Sequence, residues 1–88
     1  YQRAIQDYDK AIYIDWNSPR AYGNRGLAYG YLGQLQKAID SFDKAIQIDP
    51  NFAWAYGNRG IAYADLGQDA ESDADKAKAC SLDKTYCD

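Results

Sequence analysis

Apolar positions recur along this chain at helical spacing, in blocks separated by short Pro-, Gly- or Asn-containing breaks. In the first block Ala4, Ile5, Tyr8, Ala11 and Ile12 fall at i, i+1, i+4, i+7 and i+8, one face of a helix predicted over Tyr1–Asp15. Gln2, Arg3, Gln6, Asp7, Asp9 and Lys10 fill the rest of the turn. Trp16-Asn17-Ser18-Pro19 breaks it. Ser18 is a suitable N-cap for a second helix over Pro19–Leu32, and Pro19 suits its first position, where an N–H would have no partner. Gly33 ends that helix in a left-handed conformation. A third helix over Leu35–Ile48 carries Leu35, Ala38, Ile39, Phe42, Ala45 and Ile46 on one face, and Pro50 stops it. A fourth is predicted over Phe52–Leu66 and ends at Gly67. The fifth, Gln68–Leu82, keeps the length but loses most of the apolar face, with Ser72, Asp73 and Lys76 where the third has Ala38, Ile39 and Phe42.

The blocks are copies. Ala21-Tyr22-Gly23-Asn24-Arg25-Gly26-Leu27-Ala28-Tyr29 returns 34 positions later as Ala55-Tyr56-Gly57-Asn58-Arg59-Gly60-Ile61-Ala62-Tyr63. The first and third helices pair at the same offset: Ala4 with Ala38, Ile5 with Ile39, Tyr8 with Phe42, Ala11 with Ala45, Ile12 with Ile46. A period of this length means stacked supersecondary units that share a strip of core with their neighbours. Glycine inside a helix costs about 0.8–1 kcal/mol against alanine, so Gly26 needs a reason. It lies one helical step from Tyr22 and Tyr29, on the face predicted to meet the third helix, where it lets two backbones come close. Gly60 repeats the arrangement between Tyr56 and Tyr63.

Composition narrows the function classes. With 88 residues the chain is one small domain at most. Ten Lys and Arg are scattered among thirteen acids for a net charge of −3, which argues against a phosphate-binding surface and so against nucleic acid. No apolar run reaches the roughly 20 residues of a membrane span, and no leader is in view, so a fragment or processed piece is expected, its compartment open with the cytoplasm favoured. The absence of His removes the commonest general base and metal ligand. With no nucleophile–base pair or metal set either, no enzyme and no cofactor are expected. Asp69, Glu71, Asp73 and Asp75 alternate like a calcium loop, but Ala74 and Cys80 stand where its Gly and Glu belong. Gly26, Gly30 and Gly33 make no phosphate loop, since no Gly-Lys-Ser/Thr follows. Cys80 and Cys87 are either two free thiols in a reducing compartment or a disulfide pinning the tail to the last helix.

The unit Tyr22, Gly26, Tyr29, Ala38, Phe42, Ala45, Pro50 resembles the tetratricopeptide repeat, with Tyr22 in place of the commoner Trp. The resemblance divides the chain into the second half of a repeat at 1–18, a complete repeat at 19–52, a second at 53–86 with a degenerate, cap-like last helix, and a tail at 87–88. The second repeat departs from the pattern at Ser72, Lys76 and Lys84. The polar last helix places the end of the parent chain near Asp88. The fold implied is an all-α, right-handed α-solenoid of antiparallel helix pairs, about five helices in all.

On a wheel of 100° per residue, Arg20, Asn24, Leu27 and Tyr31 form one stripe opposite the Tyr22/Gly26/Tyr29 face; Trp54, Asn58, Ile61 and Asp65 form the matching stripe on the fourth helix. Tetratricopeptide proteins bind extended peptides or partner helices on this side, so the resemblance implies a peptide-binding groove lined by these eight residues. Asn24 and Asn58 each offer a donor and an acceptor for a peptide backbone, with Gly23 and Gly57 beside them leaving room for it. The alternative is that the Asn pair bonds its own helices and that Trp54 covers the seam between repeats. The subtype that grips the carboxylate of heat-shock chaperones needs basic residues where this chain has Gly23, Trp54, Gly57 and Asn58, so that ligand is not expected. Arg25 and Arg59 lie on the packing side and are read as structural, paired with an Asp on an adjacent helix. A second expectation is self-association, possible for a chain whose first helix lacks its partner, with Ile5, Tyr8 and Ile12 meeting another copy in a homo-oligomer.

Overall fold

The structure, a computed structural model, describes residues 1–87; Asp88, in the tail that the sequence division sets apart, lies outside the described residues. Five α-helices follow one another: α1 (Gln2–Ile14), α2 (Pro19–Tyr31), α3 (Leu35–Ile48), α4 (Ala53–Asp65) and α5 (Asp69–Leu82). A 3-10 turn, Lys84–Tyr86, ends the described chain. The predicted bounds differ from these by single terminal residues that turn out to be caps, such as Leu32 after α2 and Phe52 before α4. The 3-10 turn is the element the periodicity missed, because three residues are too few to show a period.

Local chemistry sets the breaks. The Ser18 hydroxyl accepts from the Ala21 N–H at 3.2 Å, with Pro19 opening α2. Gly33 and Gly67 take φ of 75° and 80°. At the first, Gln34 N–H bonds back to the Tyr29 carbonyl at 3.0 Å and Gly33 N–H to Gly30; at the second, Gln68 bonds Tyr63 at 2.9 Å and Gly67 bonds Ala64. These paired bonds satisfy carbonyls the helix would leave open, and they need the left-handed residue that glycine supplies. Both α2 and α4 therefore end the same way and turn the chain back antiparallel.

The helices stack in chain order into a right-handed solenoid of 35 × 24 × 18 Å. The closest pairs are α2 with α3 and α4 with α5, and α3 and α1 pack on the helices that follow them. The core lies where α3 is held between α2 and α4: Tyr22, Ala38, Phe42, Ala45 and Ala55 are buried together, with Leu27, Tyr29 and Trp54 against them. A β-carbon at Gly26 would stand 2.9 Å from the Phe42 ring and 3.1 Å from the Ala38 carbonyl oxygen. Gly60 plays the same part against Asp75 and the Ser72 carbonyl, at 3.2 and 3.3 Å. Gly26 and Gly60 are thus points where paired helices touch.

Two arginines stitch successive helices. Arg25 Nη1 donates to Asp9 of α1 at 2.9 Å, and its Nε to Ser41 of α3 at 3.1 Å. One repeat later, Arg59 Nη1 donates to Asp43 of α3 at 2.8 Å, while Nε and Nη2 clasp both oxygens of Asp75 on α5 at 2.9 and 2.7 Å. Each arginine reaches 16 residues back and 16 forward, bridging the helix before and the helix after its own. The guanidinium planes also lie over Tyr22 and Tyr56, at 5.2 and 5.4 Å from the ring centres. The hydrogen bond to Asp75 raises the Arg59 pKa above its ordinary value, against the opposing effect of burial.

Candidate interaction surface

Three shallow depressions run along α2 and α4, on the side opposite their Tyr/Gly faces. The first, about 130 Å³, has Leu27 and Tyr31 of α2 on one wall and Asn58, Ile61 and Asp65 of α4 on the other; Phe42 and Ala38 show through its floor. The second is formed by Arg20, Asn24, Phe52 and Trp54. The third joins Trp54, Gly57, Asn58 and Ile61 to Lys76, Ala79 and Tyr86. Asn58 and Ile61 belong to two of them, as does Trp54, so the depressions merge into one trough.

All eight residues of the two stripes stand along this trough. The reason is the crossing of the helices: α2 and α4 turn their Tyr/Gly faces to α3 and α5, which leaves the opposite stripes along the trough, with Leu27 and Trp54 partly packed on the core. Their individual surroundings differ. Arg20 and Asp65 are exposed and in no ion pair among the described residues. Ile61 is 56% exposed, large for an aliphatic residue, whereas Leu27 is half-buried against the core. Tyr31 is 62% exposed on one side and stacked on Tyr1 on the other, ring centres 4.9 Å apart.

The asparagines are not equivalent. The Asn58 amide donates to the Trp54 carbonyl of its own helix at 2.9 Å, so one of its donor hydrogens is engaged. The Asn24 amide makes no hydrogen bond among the described residues and is half-buried, with its full donor and acceptor capacity open. Trp54 lies across the seam between repeats. It stacks on Phe52 at 5.5 Å, meets Phe42 edge-on at 6.1 Å, and reaches 2.7 Å from where a Gly23 β-carbon would stand. The expectation that Gly23 leaves room for a ligand backbone is therefore corrected: Gly23 is buried, its space taken by the indole. Gly57 is covered in the same manner by Tyr86, at 3.4 Å from the corresponding point.

Tyr86 and Lys76 were absent from the predicted lining. A signal for Tyr86 exists in the sequence, since it stands 34 positions after Phe52 and meets Gly57 as Phe52 meets Gly23. Cys80 and Cys87 are joined by a disulfide, and the Asp83 carboxylate accepts from the Thr85 N–H at 3.0 Å. That bond, with a second from the Thr85 hydroxyl, holds the Asp83 carboxyl below its usual range. Both features seat the 3-10 turn, and hence Tyr86, at the end of the trough.

On α1, Ile5 is 2% exposed, closed off within the chain, and Tyr8 and Ile12 are half-buried. Ile5 thus has no free surface for another copy; it serves α1 as Ile39 serves α3. What α1 and its following turn leave open is Ala11, Tyr13, Ile14 and Trp16. Among the described residues no cluster of His, Cys, Asp or Glu could hold a metal, and no helix is long and apolar enough to cross a membrane.

Comparison with known proteins decides the family. Residues 19–52 match the tetratricopeptide repeat, and residues 41–74 match it a second time. The Arabidopsis OM64 TPR domain superposes with a TM-score of 0.92 at 31% identity, over 94% of this chain and 69% of that one. The chain belongs to the tetratricopeptide repeat family. The first TPR of Spaghetti, bound to an HSP90 peptide, superposes at 0.93 with 27% identity over 96% of this chain and 67% of that one. MamA superposes at 0.87 with 28% identity over 91% of this chain, which spans 47% of MamA's length. No curated protein matches the chain in sequence. With peptide-bound structures among its neighbours, this TPR chain is of the protein-interaction scaffold kind.

Proposed function

We propose that this chain is a non-catalytic scaffold that holds an extended peptide or partner segment in the trough between α2 and α4. The observation that carries the reading is the open Asn24 amide, half-buried beside exposed Arg20 and the Trp54 indole in one depression. Asn58 serves as the second, weaker grip, through its acceptor oxygen and remaining N–H. Ile61 and Tyr31 add apolar area with little to gain from water. The neighbours bound to HSP90 and Hsp70 peptides support a peptide as the class of partner. The division into repeats at 19–52 and 53–86 belongs to the same reading.

The test is a display library of short peptides panned against the 88-residue chain, followed by titration of the best binder. Asn24→Ala should weaken that binder about fivefold or more, one buried hydrogen bond being worth about 1 kcal/mol, while the helical circular dichroism stays unchanged. Loss of helicity in step with loss of binding would mean that Asn24 is structural.

A second reading has its own observation. Tyr8 and Ala11 correspond to Phe42 and Ala45, which are buried between two helices, yet Ala11 is exposed and Tyr8 only half-buried. Self-association would cover that face. Sedimentation of the Tyr8→Lys/Ala11→Lys variant against the native chain tests it, and an unchanged mass at high concentration for both would remove it.

A further inference from the structure

The trough carries opposite charges at its two ends, and both are unspent. Arg20 opens α2 and lines the depression that also holds Asn24 and Trp54. Asp65 closes α4 and lines the first depression, where it is the sole ionised group. Neither takes part in the ion pairs that occupy Arg3, Arg25 and Arg59 among the described residues. From Asp65 toward Arg20 runs the shallow first depression, about 130 Å³, walled mainly by apolar side chains including Leu27, Tyr31 and Ile61. A single aliphatic side chain of a partner laid in this depression would bury apolar area against Leu27, Tyr31 and Ile61.

Gly30 bears on the same point. A β-carbon there would meet nothing within 4 Å, so packing does not require glycine, and yet the residue lines this depression. An alanine would be the better helix former; its methyl group would stand at the depression's edge. The 34-residue register places Asp65 level with Tyr31, so the two charges are separated by about eleven residues of helix, on the order of 16 Å along the axis. An extended chain spans that in about five residues.

We infer that the partner segment, on the groove reading above, is an extended stretch with an acidic residue facing Arg20, a basic residue about five positions away facing Asp65, and one aliphatic side chain between them that lies in the Leu27/Tyr31/Ile61 depression. A guanidinium favours a carboxylate through its paired donors, and Asp65 favours an ammonium or guanidinium. The arrangement also fixes register: a segment reversed or slipped by one charge sets like charges against each other. The segment's own termini are not required, since both charges it needs are on side chains.

The experiment is a library of nine-residue peptides with acetylated and amidated ends, panned against the full 88-residue chain and against its R20E and D65K variants. The expected result on the native chain is enrichment of an acid and a base four to six positions apart with Leu, Ile or Val between. D65K should turn the enriched base into an acid, and R20E the enriched acid into a base; in single-peptide titrations each mismatch should cost about fivefold. Both residues are exposed, so the variants keep the fold, which circular dichroism checks. Peptides enriched without a charge pattern, or a pattern that neither swap alters, would overturn this inference and leave the groove reading standing. No enrichment on the native chain would overturn both.

Discussion

Gly26 and Gly30 are one helical turn apart, and the same methyl group would have opposite effects on them. At Gly26 it would press on the Phe42 ring at 2.9 Å and the Ala38 carbonyl at 3.1 Å; at Gly30 it would meet open space. Gly26→Ala should therefore lower stability by about 1–3 kcal/mol through overpacking, while Gly30→Ala should raise it by about 0.5–1 kcal/mol; urea denaturation separates them. Ser72 is a second single-residue case. It replaces the alanine of the repeat, its hydroxyl is buried, and that oxygen has no partner among the described residues. Ser72→Ala should add about 1 kcal/mol, the desolvation of an unmade hydrogen bond. The two arginines differ by their second partner: neutral Ser41 for Arg25, and for Arg59 the Asp75 carboxylate, 5% exposed. Arg59→Ala should cost about 3 kcal/mol, because it strands a buried charge, and Arg25→Ala about 1 kcal/mol, its carboxylate partner being half in water. The pairing of both with aspartates follows from the wheel; the inequality does not, since Ser41 and Asp75 reach the guanidinium only once α3 and α5 are packed.

At the scale of the element, the same sequence pattern yields different burial. α1 and α3 carry matching apolar residues, but α3 lies between two helices and α1 against one, so Ala45 is buried and Ala11 exposed. Periodicity shows which face a helix offers, not how many neighbours accept it. The C-terminal turn shows the reverse. Lys84–Tyr86 carries no period, yet it places Tyr86 on Gly57 as Phe52 sits on Gly23, with the Cys80–Cys87 disulfide holding it there. Replacing both cysteines by serine should cost about 2 kcal/mol for a loop this short. Hydrogen exchange should then show freed amides at 84–87 and faster exchange at the Gly57 end of α4, with α2 and α3 unchanged.

For the whole molecule, the solenoid is a row of nearest-neighbour contacts, and damage should stay local. Binding depends on the opposite property: α2 and α4 are not adjacent in chain order, and they share a trough because α3 spaces them. A substitution of Phe42, which shows through the trough floor and is 2% exposed, should therefore affect both properties. Phe42→Leu should lower stability by about 1–2 kcal/mol and deepen the first depression, so that peptide selection shifts toward a larger central side chain.

The sequence by itself determined the five helices, their 34-residue equivalence, the capping glycines and the two stripes opposite the Tyr/Gly faces, because each follows from spacing and side-chain size within one repeat. Tertiary structure alone decided that Trp54 takes the space above Gly23, that Ile5 is closed off, that Asn58 is partly engaged while Asn24 is open, and that Arg20 and Asp65 end up at opposite ends of one trough. Those outcomes depend on how one repeat leans on the next, which is set by close contacts between residues far apart in the chain and leaves no period to read.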